Sequence, residues 1–209
     1  MLSKSNKNLV YILQFFVLIL VLSACNQYEK TYYDDGKLKE KYQINKDKEK
    51  DGAYLRYHAN GTLAEETNYQ NGLQEGLRKI FTESGDLEFT STYADGKLNG
   101  PRKVYFPTGK LRVDSNYKDD QLIGTFYKYY ENGNLQEEVT FVEGAENGPF
   151  VEYYDNGVVK WKGNYLNGDN EFGLLEHFDV TGKLIKKMQC DSTRMCITIW
   201  KEDQEIKKG

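Results

Sequence analysis

The chain of 209 residues carries 32 acidic against 28 basic side chains, a formal charge of −4, so nucleic-acid phosphates gain nothing from it and no nucleic-acid partner is expected. Only 39% of residues are hydrophobic and proline occurs 3 times, against 17 tyrosines and 19 glycines. This balance excludes a large aliphatic core, while the aromatics exclude a disordered chain and the glycines call for many turns.

The first element is a leader. Lys4 and Lys7 precede VYILQFFVLILVL, an apolar run broken only by Gln14, and Leu22-Ser23-Ala24-Cys25 closes it. A basic start, a short apolar core and small residues before a cut describe a secretory signal, and the run is short of the roughly 20 residues of a membrane span. The closing four residues resemble the bacterial lipobox. That resemblance implies that residues 1–24 are removed as a lipoprotein signal peptide and that the Cys25 thiol receives a diacylglyceryl group. An ordinary signal peptide with an incidental cysteine, or an uncleaved anchor, is the alternative. Residues 25–31 are then a lipidated linker, and loss of Lys4 and Lys7 takes the formal charge from −4 to −6. An acidic body must leave membrane binding to the acyl chains, two or more of which hold stably. The expectation is an exported bacterial lipoprotein of the cell envelope, on the outer membrane where the bacterium has one.

A repeat follows. Gly36, Gly61, Gly85, Gly109, Gly133, Gly157 and Gly182 stand 24 or 25 residues apart. Two residues after each comes Leu38, Leu63, Leu87, Leu111, Leu135, Val159 or Leu184, and four before comes a tyrosine or phenylalanine. A second glycine set, Gly52, Gly76, Gly100, Gly124, Gly148 and Gly173, marks the handover between units. Within a unit the period is two: Leu111, Val113, Ser115 and Tyr117 alternate with Arg112, Asp114 and Asn116. Alternation with one polar side is a strand half exposed to water. Asparagine–glycine pairs between such segments supply the positive φ of a hairpin turn. Each unit therefore reads as a β-hairpin, with Tyr57 across from Leu63 and Phe81 on the other side of Leu63, in one continuous row. The predicted fold is all-β: an elongated single-layer antiparallel sheet of tandem hairpins over residues 32–185.

These residues resemble the MORN repeat in its bacterial variant form. The matching element is a YxxGxxxG step, Tyr69-Gly72-Gly76 and Tyr93-Gly96-Gly100; Asp120 replaces the first glycine of the third copy, and the last full copy lengthens to Tyr165-Gly168-Gly173. The resemblance implies a non-catalytic scaffold that binds proteins or lies near membranes, and it carries an antitoxin-like label.

After the repeats, Cys190 and Cys196 flank DSTRM. In an exported protein this pair reads as a disulfide stapling a terminal hairpin, KKMQC against CITIW, within a capping segment and tail at 186–209. A redox or metal pair and free thiols are the other readings. His58 and His177 fall in different units, and Glu65-Glu66 and Glu137-Glu138 are neighbours that point to opposite faces of a strand. With no GxSxG, Walker loop or zinc-ligand cluster, no enzyme, cofactor or metal is expected. The candidate binding face is aromatic: Phe89, Tyr127, Tyr129, Tyr153 and Trp161, all placed on the predicted apolar side. The alternative is that these rings pack only on one another. The leading functional reading is a lipid-anchored envelope scaffold that binds a protein through its sheet. Binding of cell-wall glycan by stacked aromatics, and an antitoxin- or immunity-like role, are the alternatives.

Overall fold

Two kinds of turn alternate over residues 58–158 and lay down a meander that five-residue turns at 45–49 and 166–170 continue at either end. The first closes five residues: the Gly61 N–H bonds the His58 carbonyl at 2.9 Å while the His58 N–H bonds the Thr62 carbonyl at 2.8 Å, with Gly61 at φ 90°. This is a type I turn ended by a left-handed residue, where glycine has no Cβ to clash. The second holds two residues, both left-handed, as at Asn71 (φ 47°) and Gly72 (φ 81°) between the partnered Gln70 and Leu73. That is the type I′ geometry whose twist suits a hairpin. Asp119 (φ 49°) and Asp120 (φ 68°) make the same turn without glycine, since a short polar side chain tolerates the left-handed region.

A computed structural model describes residues 27–202, and over them the chain is all-β. The strands are β1 Gln27–Tyr32, β2 Leu38–Ile44, β3 Lys50–Tyr57, β4 Leu63–Gln70, β5 Leu73–Phe81, β6 Leu87–Ala94, β7 Lys97–Tyr105, β8 Leu111–Lys118, β9 Gln121–Tyr129, β10 Leu135–Val142, β11 Ala145–Tyr153, β12 Val159–Tyr165, β13 Glu171–Phe178, β14 Leu184–Cys190 and β15 Cys196–Lys201. All fifteen form one antiparallel sheet in sequence order, about 70 Å across at the usual strand spacing. The leader 1–24, Cys25 and the tail from 203 lie outside the described residues. The segment expected as a linker, 25–31, is strand from Gln27 onward: β1 pairs with β2 from Gln27↔Ile44 to Tyr32↔Leu38.

The hairpin pairs read from the sequence are present, including Tyr57↔Leu63, Phe81↔Leu87, Tyr105↔Leu111 and Tyr129↔Leu135. The continuous row is not. Across β4–β5 the register sets Glu65 against Ile80 and Glu66 against Lys79, so Leu63 does not face Phe81. The cause is a β-bulge in each hairpin. Tyr57 pairs with Leu63 but Arg56 pairs with Glu65, leaving Ala64 as an extra residue. Glu88, Arg112, Gln136 and Lys160 are left over in the same way in the following units. An extra residue reverses the alternation. Leu111 therefore lies on one face, and Val113, Ser115 and Tyr117 on the other.

The two faces differ. On the packed face, large residues from the first strand of each hairpin (Tyr54, Phe126, Phe150, Leu175) alternate with small ones from the second (Thr67, Ser91, Ser115, Val139). Thr67, Ser91 and Val139 are at most 2% exposed although no second layer among the described residues covers them. The large side chains must fold down over the small ones. A buried cluster of Val139, Phe150, Leu175 and Cys190, flanked by Phe141, Trp161, Tyr165 and Met188, forms the apolar part of this face. The open face carries cross-strand charge pairs, Lys79–Glu66 at 3.0 Å, Lys103–Asp114 at 3.3 Å and Lys162–Glu176 at 2.8 Å.

Candidate functional site

The five aromatics expected on one face are divided between two. On β9, Lys128 and Phe126 belong to the packed face, so Tyr127 and Tyr129 project to the open face. Tyr127 is paired with Glu138, Tyr129 with Leu135 and Tyr153 with Val159. Phe89 and Trp161 follow the bulge residues Glu88 and Lys160 and so cross to the packed face. The expectation of a single five-residue surface is corrected on this ground: a period-two count carried through a bulge is wrong by one residue beyond it.

On the open face Tyr127, Tyr129 and Tyr153 surround Glu138, all half-buried. Burial raises the Tyr129 hydroxyl above its ordinary range, and the charges of Asp114 and Glu138 add to the effect. Burial and then Glu138 do the same for Tyr153. Both rings therefore present protonated hydroxyls beside an apolar body. Tyr127 stands in a row that elsewhere holds paired charge, and Tyr129 and Tyr153 belong to the aromatic column that Tyr57, Phe81 and Tyr105 occupy on the same face; where row and column meet around Glu138, the open face is best suited to contact another molecule.

On the packed face the rings are engaged. Phe89 lies between two guanidinium groups, with Arg78 at 5.8 Å and Arg102 at 5.3 Å from its centroid. Trp161 stacks flat on His177, centroids 4.0 Å apart and planes 1° from parallel. The stacking and the neighbouring Lys160 and Lys186 fit the direction of the His177 pKa, which burial first, then those lysines, hold below its ordinary value. His58 has a structural task as well: its Nε2 lies 2.9 Å from the Phe81 carbonyl oxygen, which can only accept, so this nitrogen carries the proton. The two histidines do not meet.

That His58 bond belongs to a set that the sequence reading passed over. In three further units the residue three before the turn glycine likewise reaches the next unit: Tyr33 donates to the Tyr57 carbonyl (2.7 Å), Tyr130 to that of Tyr153 (2.8 Å) and Tyr154 to that of Phe178 (3.0 Å). Asn60, Asn132 and Asn156 bond the following turn through their side-chain amides at 2.7–3.0 Å. These columns recur at the period of the repeat, and that periodicity is the signal that could have found them.

Glu65 and Glu66 separate as expected for adjacent strand residues. Glu66 meets Lys79 on the open face, while Glu65 is buried on the packed face between Arg56 (3.0 Å) and Arg78 (2.7 Å). Glu137 faces Lys128 on one side and Glu152 on the other, and Glu138 points away toward the tyrosines. Burial raises the Glu137 carboxyl above its ordinary value, Glu152 adds to this, and Lys128 partly offsets it. Cys190 and Cys196 are disulfide-bonded partners across β14 and β15. With both sulfurs so engaged, their approach to Glu171 offers no thiolate for a metal.

The chain matches the family described as MORN repeat variant over residues 28–46, 50–71, 74–95, 98–119, 122–143 and 146–167. Each segment from 50 onward covers one hairpin, from the strand that carries the second glycine to the turn after its second strand, a type I′ turn in all but the last. No curated protein matches. Among solved structures, the crystal structure of TcdB2-TccC3-TEV is similar at 12% identity over 77% of this chain, with a TM-score of 0.24. This chain spans 12% of that one, and a superposition so loose says nothing of function. Six family matches over more than half of the sequence, on a sheet built from their repeats, place the chain in one family: it belongs to the MORN repeat variants.

Proposed function

We propose that this protein is a non-catalytic scaffold of the bacterial cell envelope, tethered through lipidated Cys25, that binds a protein partner on the open face of its sheet. The observation that carries the reading is the cluster of Tyr127, Tyr129 and Tyr153 around Glu138, where Tyr127 stands in a row that elsewhere holds the pairs Lys79–Glu66, Lys103–Asp114 and Lys162–Glu176. Tyrosine supplies rigid contact area at low entropic cost and a hydroxyl for orientation, which suits a protein surface. The repeat architecture supports a binding role, since an extended array offers area in place of an enclosed pocket.

In-cell crosslinking followed by affinity capture tests the partner. The native chain should recover one dominant protein, and Tyr127→Ala with Tyr153→Ala should reduce that recovery at least about tenfold. Equal recovery by both would refute the open face as the site. Retention on cell-wall sugar with an empty capture would favour the glycan reading instead. Growth rescue against a neighbouring gene's product would favour the antitoxin-like one. For the tether, Cys25→Ser should move the protein from the membrane to the soluble fraction; unchanged fractionation would refute lipidation.

A further inference from the structure

The packed face holds an unpaired pattern of charge around a shallow apolar depression. The depression, of about 450 Å³, has a floor that includes Val104, Val113, Phe126 and Val139. Lys128 and Arg112 line it toward β8 and β9, and Glu137 and Glu146 toward β10 and β11. Among the described residues none of these four forms an ion pair within the chain, even though Lys128 and Glu137 are cross-strand neighbours. Burial pushes both carboxyls up, which records anions without adequate cations. The charges change sign between β9 and β10, and the row reads Val113, Lys128, Glu137, Glu152 across β8 to β11. The central pair of this row is complementary to its own reversal.

We infer that the packed face is a self-association surface, closed by a second copy of this chain. A twofold axis in the plane between two sheets, running along the strands between β9 and β10, lays Lys128 of each copy on Glu137 of the other. It also lays Phe126 of each copy on Val139 of the other, and Val113 on Glu152. Two sheets stacked this way make a sandwich, and an isologous contact needs just this kind of self-complementary pair of charges. The open face, with its tyrosines, stays outward on both sides of the dimer. This inference stands independently of the partner and the tether proposed above.

The test uses the full chain, solubilised in detergent. Sedimentation at low salt should show a dimer for the native protein and weakening by at least about tenfold for Lys128→Glu and for Glu137→Lys, each alone. Mixing the two variants should restore the dimer. In the mixed pair the introduced glutamate of one copy faces the introduced lysine of the other, and the two unaltered positions still oppose a lysine to a glutamate. Zero-length carbodiimide coupling of mixed heavy- and light-isotope native chains should yield a heavy–light link between Lys128 and Glu137, a readout that needs no variant. A monomer at all concentrations, a native dimer without that link, or two single variants that dimerise as well alone as mixed would each overturn the inference.

Discussion

Replacing Leu175 by alanine measures whether a sheet without a second layer has a true interior. Leu175 is 0% exposed and belongs to the cluster with Val139, Phe150 and Cys190. A Cβ built on Gly163 would stand 3.0 Å from both Leu175 Cγ and Phe150 Cε1, so the leucine rests directly on glycine backbone. The substitution removes three carbons, worth about 2.4 kcal/mol at roughly 0.8 kcal/mol per buried group. The floor cannot rise to fill the gap, although Phe150 and Trp161 can sag into it from above, so the total should be about 3 kcal/mol, in the lower part of the range for buried leucines. In an array stabilised by nearest neighbours this loss is local. Amide hydrogen exchange should therefore accelerate on the order of 100-fold in β12–β14, at about tenfold for each 1.4 kcal/mol, and little in β3–β6. Leu77→Ala is the control, since Leu77 is 47% exposed on the other face and should cost under about 0.5 kcal/mol. Equal small effects at both positions would show that the packed face behaves as surface, and the reasoning would fail.

Adjacent glutamates should differ in the same manner. Glu65→Gln, which leaves Arg56 and Arg78 without their shared anion, should cost about 2 kcal/mol in chemical denaturation, against under about 0.5 kcal/mol for Glu66→Gln at an exposed pair; equal costs would contradict the two-face assignment. His177 has its pKa held below the ordinary 6.5, so the fold favours the neutral ring: its contribution is intact above that pH and is lost as pH falls through the folded value. Fluorescence of Trp161 in a Trp200→Phe background should titrate with a midpoint below 6.5 and lose that step in His177→Gln; a midpoint above 6.5 would contradict the burial argument. Reducing Cys190–Cys196, whose sequence separation is 6, should cost about 2 kcal/mol by loop-closure entropy and raise exchange in β14 and β15. Loosening spread through the whole array would contradict a local staple.

The repeat made the architecture readable. Glycine columns at constant spacing name the turns, and a constant number of residues between turns fixes strand length and pairing, so Tyr57↔Leu63 and its equivalents follow from counting. The faces did not follow. Glu88 looks like an ordinary polar residue in a period-two strand, yet it is the surplus residue of a bulge, and Phe89 changes sides because of it. Nothing in residue type distinguishes the two cases; hydrogen-bond geometry beside the left-handed glycine decides. The turn contacts of Tyr33, Tyr130 and Tyr154 were hidden differently. An aromatic beside a turn reads as packing, and only its distance from the next unit shows that its hydroxyl closes a neighbour's carbonyl.

Unequal filling of the packed face implies unequal stability along the sheet. From β5 to β8 its central column is Arg78, Ser91, Arg102 and Ser115, whereas from β9 to β14 it is Phe126, Val139, Phe150, Gly163, Leu175 and Met188. Arginine stems cover serines, and Ser91 Oγ is buried with no hydrogen-bond partner, which subtracts from what the covering supplies. The second half has apolar burial along this column and a disulfide at its outer hairpin. A globular core would average such differences over the whole domain. A meander in which every strand touches only its two neighbours cannot, so the C-terminal half must be the firmer one. The tyrosines of the open face sit on β9 and β11, inside that firmer half, on the backs of the strands that bury Phe126, Val139 and Phe150. A binding surface gains from such backing, because side chains held by a rigid strand lose less entropy on contact than those carried by a loop.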